Sequence, residues 1–367
     1  MNQNLTTKAQ KLILLMAGGT GGHVFPALAI AEALQKQNIS VCWLGTRRGL
    51  EARVVPAANI DIKYININGI RGKGLFSLLI APFKIILAIW QSLRILHQLK
   101  PAAVVGMGGF VTGPGGVAAW LLRIPLLIHE QNAIAGLTNR WLARLATVVM
   151  EAFPNTFPKN YRAIHTGNPL RANILALSLP IPKKIHNPLR VLVVGGSLGA
   201  KILNETVPNA LREIKGPIEV WHQTGEIHIE AMRQAYNGVS FKTQIMAFIE
   251  NMAEAYAWAD LVICRAGAIT VSELAQVGIA SILVPYPYAV DDHQTSNAQF
   301  LSENDGAILL PQTELTVEKL ATLINELHQN PTRLQTMSTA AKNCATPQAL
   351  QKVVDLTMKA TEAKKFS

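Results

Sequence analysis

The chain has 367 residues, 49% hydrophobic and only 16% charged, which is enough for two domains of roughly 150–200 residues and too apolar for disorder. Lys and Arg outnumber Asp and Glu by 34 to 23, a net charge of +11 that points to an anionic partner. The bases form no dense run and accompany no nucleic-acid-binding motif, so nucleic acid is excluded as the partner, and pairs such as Arg47–Arg48 and Lys183–Lys184 read as solvated surface. Cys42, Cys264 and Cys344 lie too far apart for a disulfide framework or a metal knuckle, and the apolar run Leu12–Ala17 is too short for a signal segment, both as expected of a cytoplasmic protein.

The first element is an apolar strand that runs into Gly18-Gly19-Thr20-Gly21-Gly22-His23, after which Pro26 opens a helical pattern carrying Leu28, Ile30, Ala31 and Leu34. Apolar runs at 41–44, 103–107, 125–129 and 147–151, each followed by loop and helix signals, predict further strands of a parallel α/β sheet. Between them, 75–96 is strongly apolar but interrupted by Pro82, Lys84, Gln91 and Arg94, short of the roughly 18–20 uninterrupted residues that span a bilayer. Ser77, Lys84, Gln91 and Gln98 recur at heptad spacing and leave a narrow polar stripe. Two readings stand: a helix packed into the core, or a partly exposed apolar patch that sits on anionic lipid with help from Arg71, Lys73, Lys84 and Arg94.

The stretch 178–188 is rich in proline and lysine, lacks periodicity and reads as a linker, with the domain boundary between 167 and 188. At 190–201, "RVLVVGGSLGAK" repeats the opening theme of buried strand, glycines and helix, and strands follow near 218–222, 261–264 and 281–284. Two doubly wound domains facing each other would enclose a cleft, with ligands at the carboxyl ends of the strands.

Four glycine-rich segments fall at such ends: 18–23, 106–116, 195–199 and 265–274. Glycine permits close backbone approach and a following helix offers unpaired N–H groups, so the expected ligand bears phosphate, although a plain tight turn explains any one loop alone. The first and fourth segments lack G-x-G-x-x-G, and none carries the P-loop signature. No Asp-x-Asp is present to grip a metal diphosphate, and the acidic pair in "DDHQ" at 291–294 reads as helix capping. A metal-free diphosphate site built on helix ends is the simpler account. His23 at the loop mouth is either catalytic or a satisfied structural histidine. Glu130 is a general base or a hydrogen-bonding prop. Ser272 and Glu273, at the expected start of a helix, are caps or ligands, with Glu273 suited to ribose hydroxyls.

Taken in order, "GGTGGHVFPALAIAEAL", "GMGGFVTGPGG", "HEQNAIAGLTNRWLAR", "GNPLR", "VLVVGGSLGA", "CRAGAITVSELA" and "DDHQTSNA" closely resemble the MurG family of bacterial peptidoglycan synthesis across nearly the whole chain. The resemblance implies a GT-B fold of two Rossmann-like doubly wound α/β domains facing an interdomain cleft. Residues 1–170 would form the acceptor- and membrane-binding domain, 171–347 the UDP-GlcNAc-binding domain, and a helix at about 348–367 would return to the first. It implies inverting transfer of GlcNAc from UDP-GlcNAc to the 4-hydroxyl of MurNAc in lipid I, giving lipid II, with neither metal nor cofactor. Thr20, Gly21 and Gly22 would line the cleft, Asn132 would contact GlcNAc, and Arg171 and Ser197 would serve the diphosphate. Ile249 would meet uracil, Ala268, Ile269, Thr270, Val271, Ser272 and Glu273 would embrace the nucleotide, and Gln294 would read sugar hydroxyls. His23 and Glu130 are the candidates for the base. Leu198 and His293 depart from residues found in other members. The implied partners are an anionic surface at the cytoplasmic face of the inner membrane, where the enzyme is peripheral, the lipid-I synthase, and division or elongation complexes.

Overall fold

The computed structural model describes residues 11–67, 75–177, 179–196 and 199–363. It divides into two compact units, Met1–Arg171 with Gln348–Ser367, and Ala172–Pro347. Arg171 thus closes the first unit rather than opening the second.

The first unit is built on strands β1 (Leu12–Met16), β2 (Ser40–Gly45), β3 (Asp61–Tyr64), β4 (Ala103–Gly106), β5 (Leu126–Glu130), β6 (Val148–Glu151) and β7 (Ile164–His165). All pair in parallel, in the order β3-β2-β1-β4-β5-β6-β7. Successive side chains of a strand point to opposite faces, so β1 supplies both cores at once. Ile13 and Leu15 join Val24, Ala27, Ile30 and Leu34 of helix Gly21–Lys36 and Val353 and Val354 of helix Ala349–Ala363. Leu14 and Met16 join Ala88 and Leu96 of helix Leu75–Leu99 and Ala118 and Ala119 of helix Thr112–Leu121. Burial on both faces is why these strands are continuous apolar runs without alternation. The last helix is also fastened by Lys11, whose ammonium donates to the Thr361 hydroxyl at 3.0 Å.

The second unit repeats the plan with β8 (Leu189–Val194), β9 (Ile218–Gln223), β10 (Lys242–Met246), β11 (Leu261–Cys264), β12 (Ala280–Leu283) and β13 (Ala307–Leu309), all parallel, in the order β10-β9-β8-β11-β12-β13. Its core joins Val191 and Val193 to Leu203 and Val207 of helix Lys201–Arg212 and to Leu320, Ile324 and Leu327 of helix Val317–Gln329. In each unit the winding reverses between the first and fourth strands, β1 and β4 or β8 and β11, which is where such sheets open a ligand crevice. The four glycine-rich segments follow these four strands.

Three readings of the sequence need correction. Helix Gly21–Lys36 begins at Gly21 rather than Pro26, so Pro26 sits in its second turn and removes only the hydrogen bond to the Gly22 carbonyl. Strands β3, β7, β10 and β13 carried no clear signal, because the outer strands are short and partly polar. The 178–188 stretch is not a loose linker, and Lys183 is not surface but only 3% exposed. Its ammonium donates to Ala257 O at 3.4 Å and to Ala259 O, carbonyls at the end of helix Met252–Trp258, and burial pushes its pKa down to about 8. Three residues on, His186 Nδ1 bonds the buried Asp260 carboxylate at 2.8 Å.

Helix Leu75–Leu99 has one face in the core and another that leaves apolar side chains exposed. Ala81, Ala88, Ser92 and Leu96 are buried, whereas Phe83, Ile86, Leu87 and Trp90 are exposed, Phe83 by 74%. The 80–99 part is long and apolar enough to cross a bilayer by length and composition, yet its buried face lies along the sheet in the first unit's core. Gln91, from the heptad polar stripe, accepts from Asn66 N at 2.8 Å. Arg71 and Lys73 lie outside the described residues.

Candidate active site

In the first unit the turns after β1 and β4 pack backbone on backbone. Gly109 has φ +84° and lies so close that a Cβ there would come within 2.2 Å of Gly18 O, and Gly108, at φ +101°, leaves room for the His23 ring. Beneath the first turn the fully buried Glu51 carboxylate accepts from Gly19 N (3.1 Å), Thr46 N (2.9 Å) and Thr46 Oγ1 (2.8 Å). Thr20 is the exposed N-cap of helix Gly21–Lys36, and its side chain makes no capping hydrogen bond. The amides of His23 and Val24 donate to Thr20 O, while the first amides of the helix, at Gly21 and Gly22, have no acceptor within it. Such an end offers the unpaired amides that the glycine pattern implied.

His23 lies in the first turn of this helix, and its Nδ1 is 2.7 Å from Gln131 Oε1. Gln131 is 1% exposed, and its amide nitrogen is 3.0 Å from both Nδ1 and the carbonyl oxygen of His129. His129 Nε2 in turn lies 3.0 Å from Gly167 O and 3.2 Å from Thr166 Oγ1. Complete burial lowers the His129 pKa to about 4, so this imidazole is neutral at physiological pH.

Glu130 is 2% exposed, and both its oxygens are engaged. Oε1 accepts from Asn132 N (3.1 Å) and Asn132 Nδ2 (3.2 Å), and Oε2 from Gly136 N (3.0 Å) and Asn139 Nδ2 (2.9 Å). This carboxylate braces the loop that presents Asn132. Arg171, at the end of the unit, places its guanidinium 5.5 Å from the centre of the Phe25 ring.

In the second unit, Gln223 ties the turn after β8 from below. Its Oε1 accepts from Gly196 N at 3.1 Å, and its amide donates to Gly196 O (2.9 Å) and Ala247 O (3.0 Å). Ser197 and Leu198 lie outside the described residues. After β11, helix Ala268–Val277 starts at Ala268 behind the N-cap Gly267, so Ser272 and Glu273 stand in its second turn and capping does not explain them. Ala268 and Val271 are buried, Val271 completely, which leaves the backbone at the start of the helix and the half-buried Ile269, Thr270 and Ser272 as the accessible parts of 268–273. Glu273 is 5% exposed, and its Oε2 accepts from the Tyr256 hydroxyl at 3.0 Å. Ile249, 3% exposed, follows β10.

The turn after β12 is held from two sides. Gln294 Oε1 accepts from Tyr286 N at 2.9 Å, and Arg265 donates to Val284 O (3.2 Å), Pro285 O (3.0 Å) and Gln312 Oε1 (2.7 Å) while lying over the Tyr286 ring. Asp292 Oδ1 accepts from the Thr295 hydroxyl at 2.8 Å, a bond within the helix start. A cavity of about 480 Å³ lined by Leu211, Pro217 and Phe241 lies at the amino ends of β8 to β10, at the opposite end of the sheet from the glycine turns.

Within the first unit the structure therefore gathers Thr20, Gly21, Gly22 and His23 at one switch point and joins His23 to the Glu130–Asn132 loop through Gln131. Within the second it sets 268–273 at the other switch point, with Ile249 and Gln294 on neighbouring turns. Sequence reasoning missed Glu51, His129, Gln131, Tyr256 and Arg265. Of these, His129 and Gln131 carried a signal in their place inside "HEQN", and Arg265 in opening the glycine-rich segment 265–274; Glu51 and Tyr256 carried none.

Two doubly wound parallel sheets with glycine-rich turns at both switch points are the architecture of GT-B glycosyltransferases, and the family match gives that class. Residues 13–151 match the glycosyltransferase family 28 N-terminal domain, and residues 190–356 its C-terminal domain. A Marinobacter nauticus protein is 49% identical over 97% of this chain and 99% of its own, and one from Alkalilimnicola ehrlichii is 53% identical over 92% and 95%. Both are named UDP-N-acetylglucosamine--N-acetylmuramyl-(pentapeptide) pyrophosphoryl-undecaprenol N-acetylglucosamine transferase. The crystal structure of Acinetobacter baumannii MurG superposes with a TM-score of 0.84 at 47% identity, covering 95% of this chain and 99% of that one. The chain belongs to the MurG family of glycosyltransferase family 28.

Proposed function

We propose that the protein transfers GlcNAc from UDP-GlcNAc to the 4-hydroxyl of MurNAc in lipid I, with inversion at the anomeric carbon, to give lipid II. The observation that carries this reading is the likeness, over 97% of the chain, to a transferase of that name. The second unit holds the nucleotide: Ile249 against uracil, Glu273 on the ribose hydroxyls, and the start of helix Ala268–Val277 toward the diphosphate, which Arg171 and Ser197 also serve. Gln294 and Asn132 read the sugar, and Thr20, Gly21 and Gly22 border the reacting groups.

His23 is the base. Its Nε2 takes the proton of the 4-hydroxyl as that oxygen forms its bond to C1 from the face opposite the diphosphate. The bond from C1 to the phosphate oxygen breaks, and the electron pair leaves with UDP. Helix-end amides offset the charge that develops on the leaving group, the largest catalytic effect expected here. Glu130, whose oxygens already accept four hydrogen bonds, positions Asn132 rather than receiving the proton.

The exposed face of helix Leu75–Leu99 docks on the anionic cytoplasmic membrane surface, where lipid I resides. Phe83, Ile86, Leu87 and Trp90 are exposed there, and the neighbouring helices Thr112–Leu121 and Leu137–Leu142 add Trp120, Leu121, Leu137 and Trp141. Lys84, Arg94, Arg140 and Arg144 supply positive charge, with Arg144 lying over the Trp141 ring. Apolar side chains ringed by bases suit an interface of acyl chains and anionic headgroups. Docking there brings the enzyme beside the lipid-I synthase and the division or elongation complexes.

The test is incubation with UDP-GlcNAc and a short-chain lipid I analogue, with and without EDTA, followed by mass spectrometry. An acceptor-dependent disaccharide product that survives EDTA is expected. Absence of product, despite bound UDP-GlcNAc and an acceptor competent with another enzyme, overturns the reading.

A further inference from the structure

We propose that Gln131 and His129 are positioning residues that fix the tautomer of His23, keeping its proton on Nδ1 and leaving the Nε2 lone pair to act as base. The inference rests on His23 being the base and goes beyond it by naming what makes one of its two nitrogens competent.

The argument starts from atoms whose roles cannot change. Gly167 O only accepts, so His129 Nε2, 3.0 Å away, carries the ring proton, and His129 Nδ1 is a lone pair. The Gln131 amide nitrogen lies 3.0 Å from that Nδ1 and 3.0 Å from His129 O. Both are acceptors, so the amide must turn its NH2 toward them; the opposite rotation would set Oε1 against two lone-pair atoms. Oε1 consequently points away from His129, to His23 Nδ1 at 2.7 Å, a contact that requires a proton on that nitrogen. In a neutral imidazole Nε2 is then unprotonated, and it makes no hydrogen bond among the described residues.

The anchors are rigid. His129 and Gln131 are 0% and 1% exposed, and Asn139 Nδ2 and Asn168 Nδ2 donate to the carbonyls of His129 and Gln131. Burial keeps His129 neutral, so the direction of the relay does not reverse near neutral pH. Gln131 is uncharged: it orients the ring through its carbonyl dipole without placing a carboxylate beside it. When Nε2 takes the acceptor's proton, the imidazolium keeps its Nδ1–H bond to Oε1, so the relay needs no rearrangement during the reaction. The titratable groups around the turn that carries His23 include Glu51 beneath it, Glu130 in β5 and Arg171 over Phe25, with Glu32 and Lys36 further along its own helix, Arg53 beyond Glu51, and Lys352, Asp355, Lys359 and Glu362 on the helix packed against it; none is altered in the variants below.

Nitrogen-15 NMR of histidine-labelled protein reports the tautomer directly. The wild type is expected to show His23 as Nδ1–H at neutral pH. Gln131→Met, which keeps the side-chain volume and removes the acceptor, is expected to lose that preference and to lose at least about tenfold in kcat, with the KM for UDP-GlcNAc unchanged. Gln131→Glu keeps the acceptor for His23 Nδ1–H but loses the NH2 that His129 Nδ1 and His129 O receive, so it is expected to retain the Nδ1–H signal while falling below the wild type in denaturant stability. An Nε2–H tautomer in the wild type overturns the proposal, and this measurement stands even if a variant fails to fold. So does a Gln131→Met enzyme with wild-type kcat while His23→Ala is inactive. If His23→Ala itself retains wild-type kcat, the base assignment fails first.

Discussion

The two units share one winding and differ in what they attach to it. At its switch point the first carries the His23 imidazole against a glycine turn, and on its outer helices a row of exposed aromatic and aliphatic side chains. The second has the same paired turns, but its titratable side chains there, Glu273 and Arg265, are tied to Tyr256 and to the backbone of the turn after β12. Under the proposed function, one fold serves chemistry and lipid contact in the first unit and nucleotide recognition in the second. Function here follows the side chains grafted at the strand ends, not the sheet.

The sharpest way to break this division is to exchange the roles. His23→Ala should lower kcat by about 10²–10⁴-fold with little change in the KM for UDP-GlcNAc, measured by steady-state kinetics. Glu130→Gln should instead act on folding: it puts an NH2 among four donors and should cost about 1–3 kcal/mol in denaturant unfolding. A Glu130→Gln protein of wild-type stability with a kcat as low as that of His23→Ala would make Glu130 the base.

In the second unit, Glu273→Gln should raise the KM for UDP-GlcNAc by about ten- to a hundredfold while changing kcat less, because a charged hydrogen bond to the ribose is lost. An unchanged KM would remove Glu273 from the nucleotide site. Replacing Phe83 and Trp90 together by serine should reduce partitioning onto anionic vesicles by roughly tenfold in a sedimentation assay. Ile227→Ser, at an equally exposed apolar position of the second unit, should leave partitioning unaltered. Equal losses from both would mean that lipid contact is not confined to the first unit.

A further effect is one the units share. Burial lowers the pKa of His129 from 6.5 to about 4 and that of His222 from 6.5 to about 3. Between about pH 6.5 and those values the unfolded chain binds protons that the folded one does not. Stability should therefore fall as the pH drops from 6.5 toward 4, by at most about 1.4 kcal/mol per pH unit for each histidine. Denaturant midpoints at pH 7 and pH 5, followed separately for each unit, check this. A unit whose midpoint does not move would have its histidine already hydrated.

Much of the architecture was legible because parallel strands covered on both faces must be continuously apolar, as at β1, β4, β8 and β11, and because the glycine turns recur at their ends. The outer strands β3, β7, β10 and β13 escaped for the converse reason: one side has no neighbour, and the apolar run is short or broken. The Lys183–Lys184 pair misled because a charged side chain can be buried where helix-end carbonyls receive it, and nothing local to the pair signals those carbonyls.

The sequence by itself determined the fold class, the two-unit repeat, the glycine-rich turns at the strand ends and the candidate residues His23, Glu130 and Glu273, since each follows from residue type and near-neighbour spacing. Only the tertiary structure decided their surroundings. Which carboxylate is saturated with donors, which face of the apolar helix stays outside the core, and which nitrogen of His23 holds the proton all depend on partners far off in the chain. Gln131 meets His23 across 108 positions. Hydrogen bonds act through a few ångströms of space, and a sequence records only order.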